Sequence, residues 1–216
     1  MPNDAELQQH VLSELTWEPR VDAAHIGVTA KDGVVTLMGH VATFGQKHAA
    51  EAAAHRVKGV SAVAEEIEVR LPFATERGDD EIAATVVERL GWDAAIPRDA
   101  VQVKVEKGWV TLTGQVEGRY QKDAAEQEIR WLFGVVGVSN QIAIRVRPDT
   151  GRISDDIRHA LHRSWLFDST TINVSASGGQ IRLTGTVRSP HERRVAAATA
   201  WAAPGATAVE NELRIA

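Results

Sequence analysis

Three kinds of side chain in this sequence could do chemistry: histidines, a cation that recurs at fixed spacing, and tryptophans. Of the eight histidines in 216 residues, His48 and His55 lie seven apart and His159 and His162 three apart. Such pairs share a helix face and can ligate a metal when a third ligand completes the set. Neither pair recurs along the chain and neither has a third ligand close in sequence, so solvent-facing histidines, no metal and no other cofactor are expected. No carboxylate pair or serine constellation recurs, and there is no cysteine. Gly178-Gly179 reads as a hairpin turn, not as a phosphate-cradling loop that feeds a helix. The expectation is a protein without enzymatic activity.

The recurring cation is Lys47, Lys122 and Arg193. Each sits four residues into a helix, where the helix dipole disfavours positive charge by about 0.3–1 kcal/mol. Two readings stand: a snorkelling stem that covers the rim of a sheet, or a contact to lipid headgroups or an acidic partner. Trp17 and Trp92 share one register, with Trp165 close to it, and are expected to plug the core. Trp109, Trp131 and Trp201 do not recur and are expected to be exposed, as interface residues or as packing between repeats. Net charge is −5, distributed as −4 over residues 1–74, −3 over 75–149 and +2 over 150–216. The third stretch therefore brings Arg188, Arg193 and Arg194 together with Trp201 as a candidate contact surface. An acidic chain with one tyrosine and no basic stripe is not expected to bind nucleic acid.

These residues hang on a module written three times. Gly33-Val-Val-Thr-Leu-Met-Gly39-His-Val41 returns as Gly108-Trp-Val-Thr-Leu-Thr-Gly114-Gln-Val116 and as Gly179-Gln-Ile-Arg-Leu-Thr-Gly185-Thr-Val187. Gly59, Gly134 and Gly205 keep the same offsets, as do the three cations. An internal repeat decides architecture before any local reading does. Within each copy, Leu7/Val11/Leu15, Ile82/Val86/Leu90 and Ile153/Ile157/Leu161 form an apolar stripe at helical period, with Asp79 expected as an N-cap. Two strands of period two follow, joined at Asp32-Gly33, Lys107-Gly108 and Gly178-Gly179. A second, alanine-rich helix comes next. It is opened by capping boxes at Thr43-x-x-Gln46 and Ser189-Pro190-His191-Glu192, with Gly118 and Gln121 in the middle copy. Gly59, Gly134 and Gly205 are expected as left-handed C-caps, and a third strand closes the unit, parallel to the second.

The fold class is therefore α/β of the α+β type: three tandem α-β-β-α-β units, each a three-stranded mixed sheet packed by two helices. The expected domains are 1–71, 77–147 and 150–216. Gly39, Gly114 and Gly185 share parity with the apolar strand residues, and their expected role is to let the alanine-lined helix approach closely.

The Val-x-Val…Gly-x-Val-x-Leu-x-Gly-x-Val phrase, the cation before an alanine-rich helix, and the tail Gly134-Val135-Val136-Gly137-Val138-Ser139-Asn140 together resemble the BON domain, named for bacterial OsmY and nodulation proteins. Val209-Glu210-Asn211 keeps the end of that tail, whereas the first copy has Glu65 at the asparagine position and the third has Ala206 after Gly205. The resemblance implies an α/β domain without catalytic residues, tied to osmotic and envelope stress and to phospholipid surfaces. The functional expectation is a stress-associated module that contacts phospholipid. The alternative is a scaffold that binds protein or assembles with itself. The N-terminus has no basic and apolar leader, so a cytoplasmic location is expected, or a periplasmic one where a leader has been removed.

Overall fold

The computed structural model describes residues 3–72, 77–145, 152–163 and 171–215. Contacts divide the chain into two compact units, Met1–Arg89 with Val103–Thr111 and Gln127–Ser139, and Leu90–Gln102 with Leu112–Glu126 and Asn140–Ala216. The division passes through the middle repeat, each part of which packs with its neighbour in sequence.

The elements follow the sequence pattern. The first repeat is α1 (Asp4–Trp17), a 3-10 turn (Ala23–His25), β1 (Ile26–Lys31), β2 (Val34–Val41), α2 (Phe44–Arg56) and β3 (Ala62–Val69). The middle repeat is α3 (Asp79–Trp92), β4 (Val101–Glu106), β5 (Trp109–Val116), α4 (Arg119–Ile129), β6 (Gly137–Asn140) and β7 (Ala143–Ile144). The last is α5 (Ile153–His162), β8 (Ile172–Ser177), β9 (Gln180–Val187), α6 (Pro190–Trp201) and β10 (Ala208–Ile215). Each sheet has the hairpin's second strand at its centre, in the orders β1-β2-β3, β4-β5-β6 and β10-β9-β8. In the middle repeat the closing strand is in two pieces, so β7 also pairs with β5. β1 runs antiparallel to β2 and β3 parallel to it, and β8, β9 and β10 repeat the arrangement.

Period and burial agree. In the first repeat Leu7, Val11 and Leu15 from α1 meet Val28, Val35, Leu37 and Val41 from the sheet and Ala50, Ala53 and Ala54 from α2. In the third, Ile157 and Leu161 meet Ile181, Leu183 and Val187 with Ala196 and Ala200. Alanine on the inner face of the second helix lets its backbone lie close to the sheet and removes apolar area from water at little side-chain entropy cost. The helix starts are capped as expected. Thr43 Oγ1 accepts the Gln46 amide at 3.2 Å, and Ser189 Oγ accepts that of Glu192 at 3.2 Å. Gln121 Oε1 accepts the amides of Glu117 and Gly118 at 2.8 and 3.1 Å.

Three expectations are corrected. Gly39, Gly114 and Gly185 do not admit the alanine helix. Their φ angles are +121°, +130° and +119°, and a Cβ on each would run into the carbonyl oxygen of His25, Ala100 or Thr171, just ahead of the neighbouring strand. The glycines allow a left-handed kink where two strands close on each other, a conformation that L side chains strain to adopt. In two repeats that same carbonyl accepts the next amide, Gln115 to Ala100 at 3.2 Å and Thr186 to Thr171 at 3.1 Å. Asp79 is not an N-cap, because the Gly78 carbonyl takes the first helical bond, from Ile82 at 3.0 Å. The Asp79 carboxylate instead holds the hairpin turn, accepting the Lys107 and Gly108 amides at 2.8 Å each, and Asp4 holds Asp32 likewise at 3.0 Å.

Gly59, Gly134 and Gly205 are left-handed, at φ +100°, +89° and +85°. They lie beyond the helix ends, however, in the turn that leads to the last strand; Val57 and Ala202 are the C-caps of α2 and α6. That turn docks on the hairpin. The carbonyls of Gly33, Gly108 and Gly179 accept the amides of Ser61, Val136 and Thr207 at 2.8, 3.0 and 2.8 Å.

Candidate functional site

The recurring cation reaches the closing strand in all three repeats, the two lysines at one position and the arginine two residues earlier. Lys47 Nζ donates to the Ile67 carbonyl at 2.7 Å and Lys122 Nζ to that of Ile142 at 2.9 Å. Arg193 Nη2 donates to the Asn211 carbonyl at 3.1 Å. Each reaches from the first turn of the second helix to the closing strand. The residue at position 65, 140 or 211 answers from the strand. Asn140 Nδ2 donates to the Lys122 carbonyl at 2.8 Å and Asn211 Nδ2 to that of Arg193 at 3.0 Å. Their Oδ1 atoms accept the amides of Ile142 and Leu213 at 3.3 and 3.2 Å.

The first repeat makes the same clamp with different chemistry. Glu65 Oε1 accepts the Ile67 amide at 2.7 Å, and Glu65 Oε2 pairs with Lys47 Nζ at 2.8 Å. A carboxylate cannot donate to the helix carbonyl as asparagine does, so a salt bridge replaces that bond. The cation and its partner thus form a helix-to-strand clamp. Each of Lys47, Lys122 and Arg193 thus has a backbone carbonyl as partner, the arrangement expected of a stem that covers the rim of the sheet.

The tryptophans sort differently from expectation. Trp17 and Trp92 do not plug the core; they are 83% and 80% exposed. Each ends its helix two residues past the last residue of the buried stripe, Leu15 or Leu90. Trp165 lies outside the described residues. Trp109 is 49% exposed and lies across the outer face of the middle sheet, where its ring fills the space that a side chain on Gly137 would need. Trp131, 45% exposed, lies over Gly45 at the start of α2, where glycine leaves room for the indole. Trp201 is half-buried against the core of the third repeat, and the Arg119 guanidinium at the start of α4 stands 4.5 Å from its ring centroid, within cation–π range. Trp131 and Trp201 therefore join the end of one repeat's second helix to the start of the previous repeat's second helix.

The third repeat's arginines line the start of α6. Arg188 pairs with Glu192 at 3.1 Å and is 74% exposed, Arg193 belongs to the clamp, and Arg194 is exposed. In the first repeat, Glu18 is buried between two guanidinium groups. Arg20 Nε lies 2.7 Å from it and Arg56 Nη2 2.8 Å, and Arg56 also reaches Glu14 at 2.9 Å. Hydrogen bonds from Arg20, then Arg56, hold the Glu18 carboxyl down to about 2. Contrary to the expectation that His48 and His55 have no third group close in sequence, they flank Glu51 at 3.9 and 4.0 Å. Among the described residues no group of three or more His, Cys, Asp or Glu side chains could hold a metal ion, and no helix is long and apolar enough to cross a membrane.

The arrangement is that of a tandem array of small clamped α/β modules whose variable, exposed residues lie outside a repeated core. The BON domain model matches residues 3–70, 78–146 and 149–216, and the chain belongs to the BON domain family. It is 29% identical over 146 residues to the osmotically-inducible protein Y of Escherichia coli (strain K12), a match that covers 65% of this chain and 72% of that protein. Two solved structures of CdsD, a structural protein of the type III secretion system of Chlamydia trachomatis, also align. One is 16% identical with a TM-score of 0.27, over 96% of this chain and 92% of that one. The other, its C-terminal domain, is 15% identical with a TM-score of 0.28 over the whole of both.

Proposed function

We propose that this protein is a non-enzymatic, stress-associated binding protein that contacts phospholipid surfaces of the envelope through exposed indoles. Membership of the BON family and similarity to an osmotically inducible protein support the stress association. The observation that carries the lipid reading is the exposure of Trp17 and Trp92, at 83% and 80%, at one register of successive repeats. An indole left in water gains by moving to a membrane interface, where its ring meets apolar chains and its N–H stays hydrated. Arg188 and Arg194 add attraction to anionic headgroups, about 1 kcal/mol for each cation near such a surface. The clamp cations do not take part. Whether the surface faces the cytoplasm or the periplasm, the contact is the same.

Co-sedimentation with vesicles of phosphatidylglycerol and phosphatidylcholine at low salt tests this. Wild-type protein pellets with the vesicles, and the double variant Trp17→Ala/Trp92→Ala stays in the supernatant with an unchanged melting temperature. Wild-type protein that never pellets removes the reading. Protein that sediments without vesicles supports the scaffold alternative.

A further inference from the structure

Successive repeats meet at two joints that follow one pattern. At the first, the indole of Trp131, just past the end of α4, lies over Gly45 in the first turn of α2. At the second, the Arg119 guanidinium, on the residue that opens α4, stands 4.5 Å from the ring centroid of Trp201, the last residue of α6. Arg119, Tyr120 and Asp123 there line one groove with Ala198, Trp201 and Ala202. In both joints the first turn of a second helix receives an indole from the end of the next repeat's second helix. The residue that opens the helix is accordingly half-buried in α2 and in α4, at Phe44 and Arg119. In α6 the same position, Pro190, is exposed, and so are His191 and Arg194 beside it.

We propose that the first turn of α6 is a docking end for a further module of this fold, supplied by a partner protein that carries an indole at the end of its own second helix. The ground for that occupant is continuity with the two joints, because the receiving turn is the third copy of the element that receives an indole twice already. The chemistry fits. Arg194, one turn into α6, can stand over an arriving ring as Arg119 stands over Trp201. The exposed face of Pro190 and His191 gives the indole an apolar edge to cover.

A second copy of this chain lacks the donor. Counted by the repeat offsets, the first repeat has Arg56 where the middle one has Trp131, and His55 where the third has Trp201. Arg56 is committed within its own repeat, to Glu14 at 2.9 Å and to Glu18 at 2.8 Å. Copies therefore have no indole at that place to stack them into open head-to-tail chains, the outcome that a heterologous contact otherwise invites. The three modules thus present one receiving end and one closed end. The inference does not depend on the lipid reading, and its test contains no lipid.

The full-length variant His55→Trp is the test, because it turns a second copy into the missing donor. His55 is 51% exposed and approaches Glu51 only at 4.0 Å, so the change leaves the fold and the Arg56 pairs intact. Tethered modules meet at an effective concentration on the order of 1 mM, so the dilution series runs up to about that concentration, followed by amide NMR and light scattering. In His55→Trp the His191, Glu192 and Arg194 amide signals are expected to move with concentration and the mean mass to rise. In wild-type protein neither changes. His55→Trp/His191→Asp/Arg194→Glu is expected to behave as wild type. It keeps its fold, because it alters only exposed residues and acids suit the start of a helix. A His55→Trp variant whose signals and mass stay at wild-type values overturns the inference, as does association that the triple variant retains. Wild-type association that His191→Asp/Arg194→Glu abolishes overturns the choice of occupant and makes a second copy the partner.

Discussion

The first and third repeats share one interior and have opposite exteriors. Inside, the same apolar positions are buried, Val35 and Leu37 in one and Ile181 and Leu183 in the other, and the same glycine kink closes the hairpin. Outside, the first sheet shows His25 and His40 beside the half-exposed Val34 and Met38. The third shows an ionic ladder, in which Arg182 pairs with Glu210 at 2.8 Å and lies 3.9 Å from Glu212. A strand alternates its faces, so one face can diverge while the other is held to the core. Tandem copies therefore keep their fold in the inner parity and place what distinguishes them in the outer one.

Backbone substitutions break the shared interior most severely. Gly39→Ala and Gly185→Ala each force a Cβ into a carbonyl at positive φ, and each is expected to cost about 2–4 kcal/mol in denaturant unfolding. Gly91→Ala in α3, where an added Cβ meets nothing within 4 Å, is expected to stabilise by up to about 1 kcal/mol. Similar losses at positions 39 and 185 uphold a common interior, and a loss at only one of them breaks it.

Acid separates the repeats by a smaller effect. Glu18 is held at about 2 against roughly 4.3 in an unfolded chain. A depressed carboxyl contributes stability that is fully present above the unfolded value and lost as pH falls towards the folded one, so the window is about pH 4.3 to 2. The loss is about 1–2 kcal/mol, because both guanidinium partners are half exposed and partly screened. Amide exchange should show the first repeat loosening in that window, and Glu18→Gln should flatten its acid dependence.

Effects of similar or smaller size are expected at the clamp. Lys47→Met should cost about 1–2 kcal/mol, since it orphans the Ile67 carbonyl and leaves the Glu65 carboxylate without its counter-ion. Lys122→Met should cost about 1 kcal/mol, because Asn140 still bonds the helix. Equal losses would mean that glutamate and asparagine clamps hold alike. Vesicle binding that is kept in both variants would confirm that these cations serve the fold.

Much of the fold was legible because it is written in periods. The i, i+4, i+8 stripe of Ile153, Ile157 and Leu161 and the alternation around Leu37, Leu112 and Leu183 are one-dimensional signals of a helix and of a one-sided sheet. The exposed residues were legible only in part. Trp17 was expected inside because a large aromatic after an apolar stripe usually continues it, yet the stripe ends at Leu15 and the next turn leaves the core. Lys47 was legible as a rim residue, but not as a donor to Ile67, which is 20 residues away. His25 and His40 could have been paired by counting outward from the turn at Asp32-Gly33. Neither belongs to a pair at helical spacing, so only the hairpin register makes them neighbours.

The sequence alone determined that three copies of one module would form, and which face of each element would be buried. Those choices depend on local periodicity and on glycine's conformational range, both properties of a short stretch of chain. Tertiary structure decided why Gly39 must be glycine, what the clamp cations grip, which indoles meet water and which histidines become neighbours. Each of these depends on a distance between residues remote in sequence, and only strand register and helix docking set such distances.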